Sequence, residues 1–252
     1  MHSFVGTSGW SYREWKGSFY PAKLPAAGML AYYAARFSAV EVNNSFYRIP
    51  AERVLVNWAG QVPPDFRFIM KASRRITHNQ RLSDADGSLA YFLRAVNPLG
   101  PRLGPTLFQL PPTMKMDLAR LEAFLGRIPR RWPAALEVRH ESWLVEEVYQ
   151  VLRVHDIPLV AVDANEAEAF TTPLIPTASW GYVRLRRGEY STADLRTWAE
   201  QISSQKWNRA YLFLKHEEGS PRGPAAALEI QDIMAREEGD EDHDSSARGL
   251  LL

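Results

Sequence analysis

The sequence predicts an α/β protein, a single closed (β/α)8 barrel of eight parallel strands. Short apolar segments alternate with amphipathic segments of helical period along the 252-residue chain, the pattern of strands joined by helical crossovers. No change in composition marks a linker, and eight strand–helix units fit a chain of this length. We therefore expect one barrel domain over residues 1–236 and a disordered acidic and serine-rich tail over 237–252.

In the first half of the chain, four apolar segments of strand length alternate with four helical patterns. Apolar residues at spacings of three and four predict helices over 26–37, 50–62, 88–96 and 117–125. Short apolar runs bounded by glycine, proline or polar residues predict the strands. The strands cover residues 4–10, 39–43, 66–72 and 106–110.

The second half repeats the pattern with one irregular segment. Strands are predicted over 134–138, 159–162, 181–186 and 210–215. Helices follow from residues 142, 191 and 224, the last ending near residue 236. Residues 164–179 contain two prolines and show no helical pattern, so we expect an irregular connection there.

Polar residues gather at the C-terminal ends of the predicted strands. The strand 134–138 is followed directly by Arg139. With period two, Glu137 and Arg139 share one face, while Leu136 and Val138 share the other. A charged pair on an otherwise apolar strand is costly unless its face opens on a polar cavity or the charges pair. Barrel enzymes place their active sites at this end of the strands, so the strand ends are the predicted site.

The strand ends supply residues for acid–base chemistry and for binding an anion. Four cations converging with carboxylates suit an anionic substrate, and a carboxylate or a histidine is able to move a proton. Structural ion pairs that close the barrel mouth are the alternative. The candidate catalytic residues are Glu41, Glu137, His140 and Asp163, and the candidate substrate-binding residues are Trp10, Asn43, Lys71, His78, Gln109, Arg139, Arg184 and Lys215.

Composition and motif content exclude several classes of protein. A net charge of +1 gives no overall field toward nucleic acid or a membrane. The absence of cysteine removes disulfides, thiolate metal sites and cysteine nucleophiles. Neither GxGxxG nor a P-loop nor HExxH occurs, and cations at the strand ends oppose a divalent ion, so we expect no cofactor and no metal.

A second set of residues favours a nucleic-acid-binding module. The first two strand-to-helix loops are rich in aromatic side chains with cations between them. Such rings and cations stack on bases or sugars, although rings that brace a long loop fit the same pattern. The residues are Trp10, Tyr12, Trp15, Phe19, Tyr20, Phe46 and Tyr47, with Arg13, Lys16 and Arg48.

Six separated motifs, in order, resemble the YecE-like family (domain of unknown function 72). They are GTSGW with SYREWKGSFYP at 6–21, VEVNNSFYRIP at 40–50, FRFIMKASRRITH at 66–78, LGPTLFQLPP at 103–112, LEVRHESW at 136–143 and YVRLR at 182–186. The resemblance covers nearly the whole chain. It implies the TIM-barrel fold and brings no established reaction with it.

The sequence thus favours an enzyme of the hydrolase or isomerase/lyase type. Its expected substrate is a small phosphorylated or otherwise anionic molecule, a sugar or a nucleotide, at the C-terminal barrel mouth. Two alternatives stay open, the nucleic-acid-binding module and a metal-dependent phosphoester hydrolase. No apolar run spans a bilayer and the first strand leaves no room for a signal peptide, so we expect a cytoplasmic protein without a membrane partner.

Overall fold

The computed structural model describes residues 1–83, 87–165, 170–215 and 222–248, with side chains described as far as residue 236. The strands are β1 His2–Thr7, β2 Ala39–Val42, β3 Arg67–Lys71, β4 Leu103–Gln109, β5 Ala134–Glu137, β6 Ala161–Asp163, β7 Gly181–Leu185 and β8 Arg209–Leu214. The α-helices are α1 Met29–Ala34, α2 Glu52–Ala59, α3 Ser88–Val96, α4 Leu118–Leu125, α5 Glu146–Val154, α6 Thr192–Ser203 and α7 Arg222–Arg248.

Each predicted strand overlaps an observed one, and the largest difference concerns the last helix. The described residues between β6 and β7 contain no α-helix, as the irregular segment predicts. Helix α7 continues to Arg248, beyond the predicted end near residue 236 and into the segment expected to be disordered. The loop predicted after β8 lies largely outside the described residues, as do residues 249–252.

The strands form two separate four-stranded parallel sheets. One has the order β1-β8-β7-β6 and the other β2-β3-β4-β5. The prediction of a single closed eight-stranded barrel is therefore wrong, although the α/β class and the parallel pairing are confirmed. At the two boundaries the sheets meet through isolated bridges, Ser8 with Glu41 and Leu136 with Leu159.

Side chains replace a continuous ladder between β1 and β2. The Tyr33 hydroxyl accepts a hydrogen bond from the Thr7 backbone N–H at 2.8 Å and donates to the Ala39 carbonyl at 3.1 Å. The Ser38 hydroxyl accepts from the Val5 backbone N–H at 3.1 Å. These hydroxyls satisfy backbone groups that strand pairing would otherwise satisfy. The boundary therefore needs no ladder of its own.

Another chain segment limits the pairing of β5 with β6. Leu136 donates its N–H to the Pro158 carbonyl at 3.1 Å, and its carbonyl accepts from Val160 at 2.9 Å. Two residues later, Val162 pairs both of its backbone groups with Thr172, at 2.9 and 3.0 Å. Val160 and Val162 present their backbone groups to the same side of the strand. Thr172 therefore occupies the backbone groups of Val162 with which β5 would otherwise pair next.

The inner faces of the two sheets share an apolar cluster, and polar residues follow it toward the strand ends. Side chains return to the same face of a strand at every second position. In five strands an apolar residue of this cluster therefore shares its face with a polar residue two positions later. The pairs are Ala39 and Glu41, Ile69 and Lys71, Leu107 and Gln109, Ala135 and Glu137, and Tyr182 and Arg184.

The opposite faces of the strands pack against the helices. Leu136 and Val138 belong to this outer cluster, which confirms the predicted division of the strand into two faces. Phe124 of α4 and Leu152 of α5 are fully buried in the same cluster. Burial of such a side chain contributes about 1.5–3 kcal/mol. Of the helices that the structure describes, none is long and apolar enough to cross a membrane.

Candidate functional site

Arg184 links the two sheets through two buried carboxylates. It lies in β7, whereas Glu41 and Glu137 lie in β2 and β5 of the other sheet. One terminal guanidinium nitrogen donates to Glu41 at 2.6 Å and the other to Glu137 at 2.5 Å. All three side chains are at most 1% exposed. The fixed fork of guanidinium donors suits such a double contact, and burial shields it from screening by water.

Glu41 accepts hydrogen bonds from three further side chains. Its Oε1 accepts from the Ser8 hydroxyl and the Asn43 amide, both at 3.0 Å, and its Oε2 accepts from the Tyr182 hydroxyl at 2.8 Å. Burial raises the pKa of Glu41, but Arg184 and the hydrogen bonds from Tyr182 and Asn43 lower it more. Its pKa lies below the usual value, and the carboxylate is ionised at pH 7.

Glu137 is held in the same way from its own sheet. Its Oε1 accepts from the Gln109 amide at 2.7 Å and from Nε of Arg139 at 3.1 Å. Burial raises the pKa of Glu137, but Arg184 and Arg139 outweigh it and bring the pKa to about 2. Both carboxylates are therefore fixed anions whose lone pairs are engaged by protein donors.

Lys71 extends this network on β3. Its Nζ donates to the Gln109 side-chain oxygen at 2.7 Å and lies 4.4 Å from the centre of the Phe46 ring. Burial lowers the pKa of Lys71 to about 8; repulsion from Arg184 adds to this effect, and attraction to Glu137 opposes it. Lys71 is mainly a cation at pH 7, with a neutral form close enough in free energy for proton transfer.

His78 lies against the same aromatic ring. Its Nδ1 is 2.9 Å from the Thr77 hydroxyl, and its ring meets Phe46 edge-on with centroids 4.8 Å apart. Burial lowers the pKa of His78 to about 4, and repulsion from Lys71 and Arg139 contributes. His78 is therefore neutral at pH 7 and adds no charge to the site.

A cationic cavity of about 240 Å³ opens at these strand ends. Among the described residues, Lys71 and three arginines of the wall, Arg139, Arg184 and Arg186, outnumber the two ionised carboxylates behind it. Glu41 and Glu137 are not part of the wall. The wall consists of Ser8, Tyr12, Asn43, Tyr47, Lys71, Arg139, Arg184, Arg186 and Lys215.

Two arginines in this wall retain buried donors. Nε of Arg184 and Nε of Arg186 are shielded from solvent and have no hydrogen-bond acceptor among the described residues. A buried donor left without an acceptor costs about 1–3 kcal/mol, and more when it is charged. Burial and repulsion from Arg184 also lower the pKa of Arg186. An anion in the cationic cavity would offset the positive charge around both groups.

The structure brings together nine of the twelve candidate residues. Two others, Asp163 and His140, have structural partners and do not line the cavity. Asp163 accepts hydrogen bonds from Arg187 at 2.9 Å and from Trp198 at 3.0 Å. His140 accepts from the Ser142 backbone N–H at 3.1 Å and caps the short turn that follows β5. The nine are Glu41, Asn43, Lys71, His78, Gln109, Glu137, Arg139, Arg184 and Lys215; Trp10 lines a neighbouring cavity.

Several residues of this region were not among the twelve candidates, among them Arg186 of the cavity wall, Tyr182 and Trp58. Tyr182 donates to Glu41 from the inner face of β7, and its spacing of two from Arg184 is the sequence signal that points to it. Trp58 lies on α2 and shares the neighbouring cavity with Trp10. A rule based on strand ends does not identify a residue on a helix.

The loop aromatics that predict nucleic-acid contacts are partly structural. Trp15 and Tyr20 are fully buried, with ring centroids 6.1 Å apart. The Tyr20 hydroxyl donates to the Trp10 carbonyl at 2.5 Å, so this ring braces the loop. Tyr47, by contrast, is 74% exposed and lines the cationic cavity.

The metal-dependent alternative requires a set of ligands. Within the part of the chain that the structure describes, no three His, Asp or Glu side chains come together to hold an ion. Glu41 and Glu137 already share the guanidinium of Arg184. A divalent cation would have to displace this arginine and would face the cations of the cavity wall. The described residues of the site do not fit such an ion.

Comparison with known sequences identifies relatives of the chain. Residues 4–248 match the family described as "Protein of unknown function DUF72". The chain is 32% identical over 144 residues to the UPF0759 protein YecE of Escherichia coli strain K12, and 30% identical over 159 residues to the UPF0759 protein YunF of Bacillus subtilis strain 168. These alignments include 57% and 58% of this chain and 50% and 54% of the relatives. The chain thus spans about half the length of the curated relatives it matches.

Two crystal structures are also similar. A DUF72 family protein from Thermotoga maritima has a TM-score of 0.82 and 30% sequence identity, over 93% of this chain and 100% of that one. A DUF72 family protein from Enterococcus faecalis V583 has a TM-score of 0.74 and 20% identity, over 92% and 95% of the two chains. At 20% identity the second likeness shows the fold alone.

Proposed function

The chain belongs to the DUF72 family, and from that premise we propose that it is an enzyme acting on a small phosphorylated or otherwise anionic substrate. The substrate binds in the cationic cavity at the C-terminal ends of the strands. Because the family description names no reaction, the proposal rests on the charges and donors of the cavity.

The observation that carries the proposal is the group of cations in the wall of one cavity, Arg139, Arg184, Arg186 and Lys71, in which Arg184 and Arg186 also keep buried Nε donors without an acceptor among the described residues. Buried polar groups in folded proteins almost always have hydrogen-bond partners, so an exception calls for a ligand or another cause. A set of ion pairs that served only to close the strand ends would balance its charges, whereas the described cations of this wall outnumber the carboxylates. A phosphate or carboxylate group supplies acceptor oxygens and negative charge together.

The residues divide into binding, proton-transfer and positioning roles. We assign Arg139, Arg184 and Arg186 to the anion. Lys71 is the proton-transfer group, since a pKa of about 8 makes both of its forms accessible near neutral pH. Glu41 and Glu137 orient Arg184 and neutralise part of its charge from behind the wall, as positioning residues. This division fits a hydrolase or an isomerase/lyase.

The proposed partner is a small molecule. A long single strand would stack on successive aromatic rings, and the burial of Trp15 and Tyr20 removes two of the rings available for that purpose. A compact cationic cavity matches a single anionic group instead. The cytoplasmic location expected from the sequence stays part of this proposal.

Binding of inorganic phosphate tests the proposal. We expect phosphate to raise the melting temperature of the wild-type protein and to titrate by calorimetry. Arg186→Met should weaken binding by about tenfold or more, while the free energy of unfolding stays the same or rises because repulsion with Arg184 is removed. The control is Arg153→Met, which removes an exposed arginine paired with Glu146. Absence of binding, or equal binding by Arg186→Met and wild type, would overturn the proposal.

A further inference from the structure

A second cavity, of about 470 Å³, adjoins the cationic cavity and has aromatic walls. Trp10, after β1, and Trp58, on α2, meet edge-to-face, with centroids 4.8 Å apart and planes at 89°. Trp58 also stacks on Phe68 of the core, at 5.9 Å and 22°. Both tryptophans are half-buried, so the core holds them in place while part of each ring faces the cavity.

Side-chain amides line the same aromatic cavity. Asn44 and Asn57 are exposed, and their side chains have no hydrogen-bond partner within the described ranges. Gln61 donates to the backbone carbonyl of Asn57 at 3.3 Å, which leaves its side-chain oxygen as an acceptor. A side-chain amide presents a donor and an acceptor next to each other. The aromatic cavity therefore combines flat apolar surfaces with paired donors and acceptors.

The two cavities share two residues of their walls, Tyr12 and Asn43. The Tyr12 hydroxyl donates to the Ser8 carbonyl at 2.6 Å, and the Asn43 amide donates to Glu41 at 3.0 Å. Both dividing residues are thus anchored to the strand ends. A ligand with a ring at one end and an anionic group at the other is able to occupy both cavities at once.

We propose that the ligand is a nucleotide, with its base in the aromatic cavity and its phosphate in the cationic cavity. Bases stack on tryptophan faces, and asparagine or glutamine amides pair with the donor and acceptor groups of a base edge. The volume of about 470 Å³ lies in the range of about 300–1,000 Å³ typical of small-molecule sites. A sugar phosphate would leave the aromatic and amide surfaces without a flat partner. This inference rests on the proposed function and names its substrate class.

Calorimetric titration tests the inference with six probes. They are inorganic phosphate, ribose 5-phosphate and the 5′-monophosphates of adenosine, guanosine, cytidine and uridine. At least one nucleotide should bind about tenfold or more tightly than ribose 5-phosphate. Asn57→Ala should weaken the binding of that nucleotide severalfold and leave the binding of ribose 5-phosphate unchanged, because Asn57 lines the aromatic cavity and not the cationic cavity. The control is Asn208→Ala, an exposed asparagine that precedes β8 at the opposite end of the strands.

The outcomes separate this inference from the proposed function. Tight nucleotide binding that Asn57→Ala weakens supports both. If all four nucleotides bind no better than ribose 5-phosphate, or if Asn57→Ala weakens every phosphate compound equally, the nucleotide inference fails while anion binding stands. If no phosphate compound binds at all, both fail.

Discussion

Arg184 donates to Glu41 at 2.6 Å across the boundary between the two sheets. The same guanidinium reaches Glu137 in the second sheet, so a single side chain connects β7 with β2 and β5. The contact joins the two sheets in addition to the isolated backbone bridges at their boundaries, and it fixes the direction of a cation in the cavity wall. The stability of the fold and the proposed binding of an anion therefore involve the same guanidinium group.

Arg184→Met should destabilise the protein strongly. The change leaves two buried carboxylates without their shared cation, a loss that costs about 3–5 kcal/mol in comparable buried pairs. Arg153→Met, which removes an exposed pair with Glu146, should cost less than about 1 kcal/mol. Urea unfolding measures both. Similar small changes in the two variants would show that the buried charges do not hold the sheets together.

The stability of the protein should fall in acid partly through Glu137. Its pKa is about 2 when folded, against 4.5 as the usual value, so the unfolded chain binds more protons between these limits. The stabilisation is complete above about pH 4.5 and is lost as the pH falls toward about 2. Glu137→Gln should flatten this part of the stability curve, measured by urea unfolding from pH 2 to 7. A variant curve parallel to that of the wild type would contradict the assignment.

Tyr33→Phe should weaken the boundary between β1 and β2. The loss of the hydroxyl leaves the Thr7 N–H and the Ala39 carbonyl buried without their partner, at a cost of about 1–3 kcal/mol. Tyr32→Phe is the matched control, since the Tyr32 ring is half-buried and its hydroxyl has no partner in the described chain. Hydrogen exchange at Thr7 should speed up in Tyr33→Phe alone. Equal stability of the two variants would refute the role given to Tyr33.

Gly9→Ala and Gly17→Ala should separate backbone strain from damage to the site. Both glycines have positive φ, +99° and +87°, so alanine is strained at either by about 1–3 kcal/mol. A Cβ at Gly9 would lie 2.4 Å from the Tyr12 hydroxyl, whereas at Gly17 it meets nothing within 4 Å. Gly9→Ala should therefore displace Tyr12 and weaken phosphate binding, and Gly17→Ala should not. Equal binding by both would show that Tyr12 does not shape the cavities.

The period-two pattern of the strands made much of the site predictable. Glu41, Lys71 and Glu137 each share a strand face with an apolar residue two positions earlier, so their common direction follows from strand geometry. Parallel strands then bring such ends to one region. The strand pattern does not show whether a polar residue at a strand end faces the cavity or is held by a partner on another element. Asp163 also follows an apolar strand in the sequence, but Arg187 and Trp198 donate hydrogen bonds to it.

Sheet topology was not predictable from the alternation of strands and helices. That alternation is the same for one closed barrel and for two sheets that meet at their edges. The difference depends on the Tyr33 hydroxyl between β1 and β2, and on Thr172 beside β6. Neither residue belongs to the strands whose pairing it limits, so no pattern within those strands reveals it.

A crystal structure of the protein with inorganic phosphate tests the central claim most directly. We predict one phosphate ion in the cationic cavity, bound by the guanidinium groups of Arg139 and Arg186, with Glu41 and Glu137 still bonded to Arg184. Phosphate bound only elsewhere on the protein, or a cationic cavity without the ion in crystals grown with phosphate, would contradict the claim that this is an anion site.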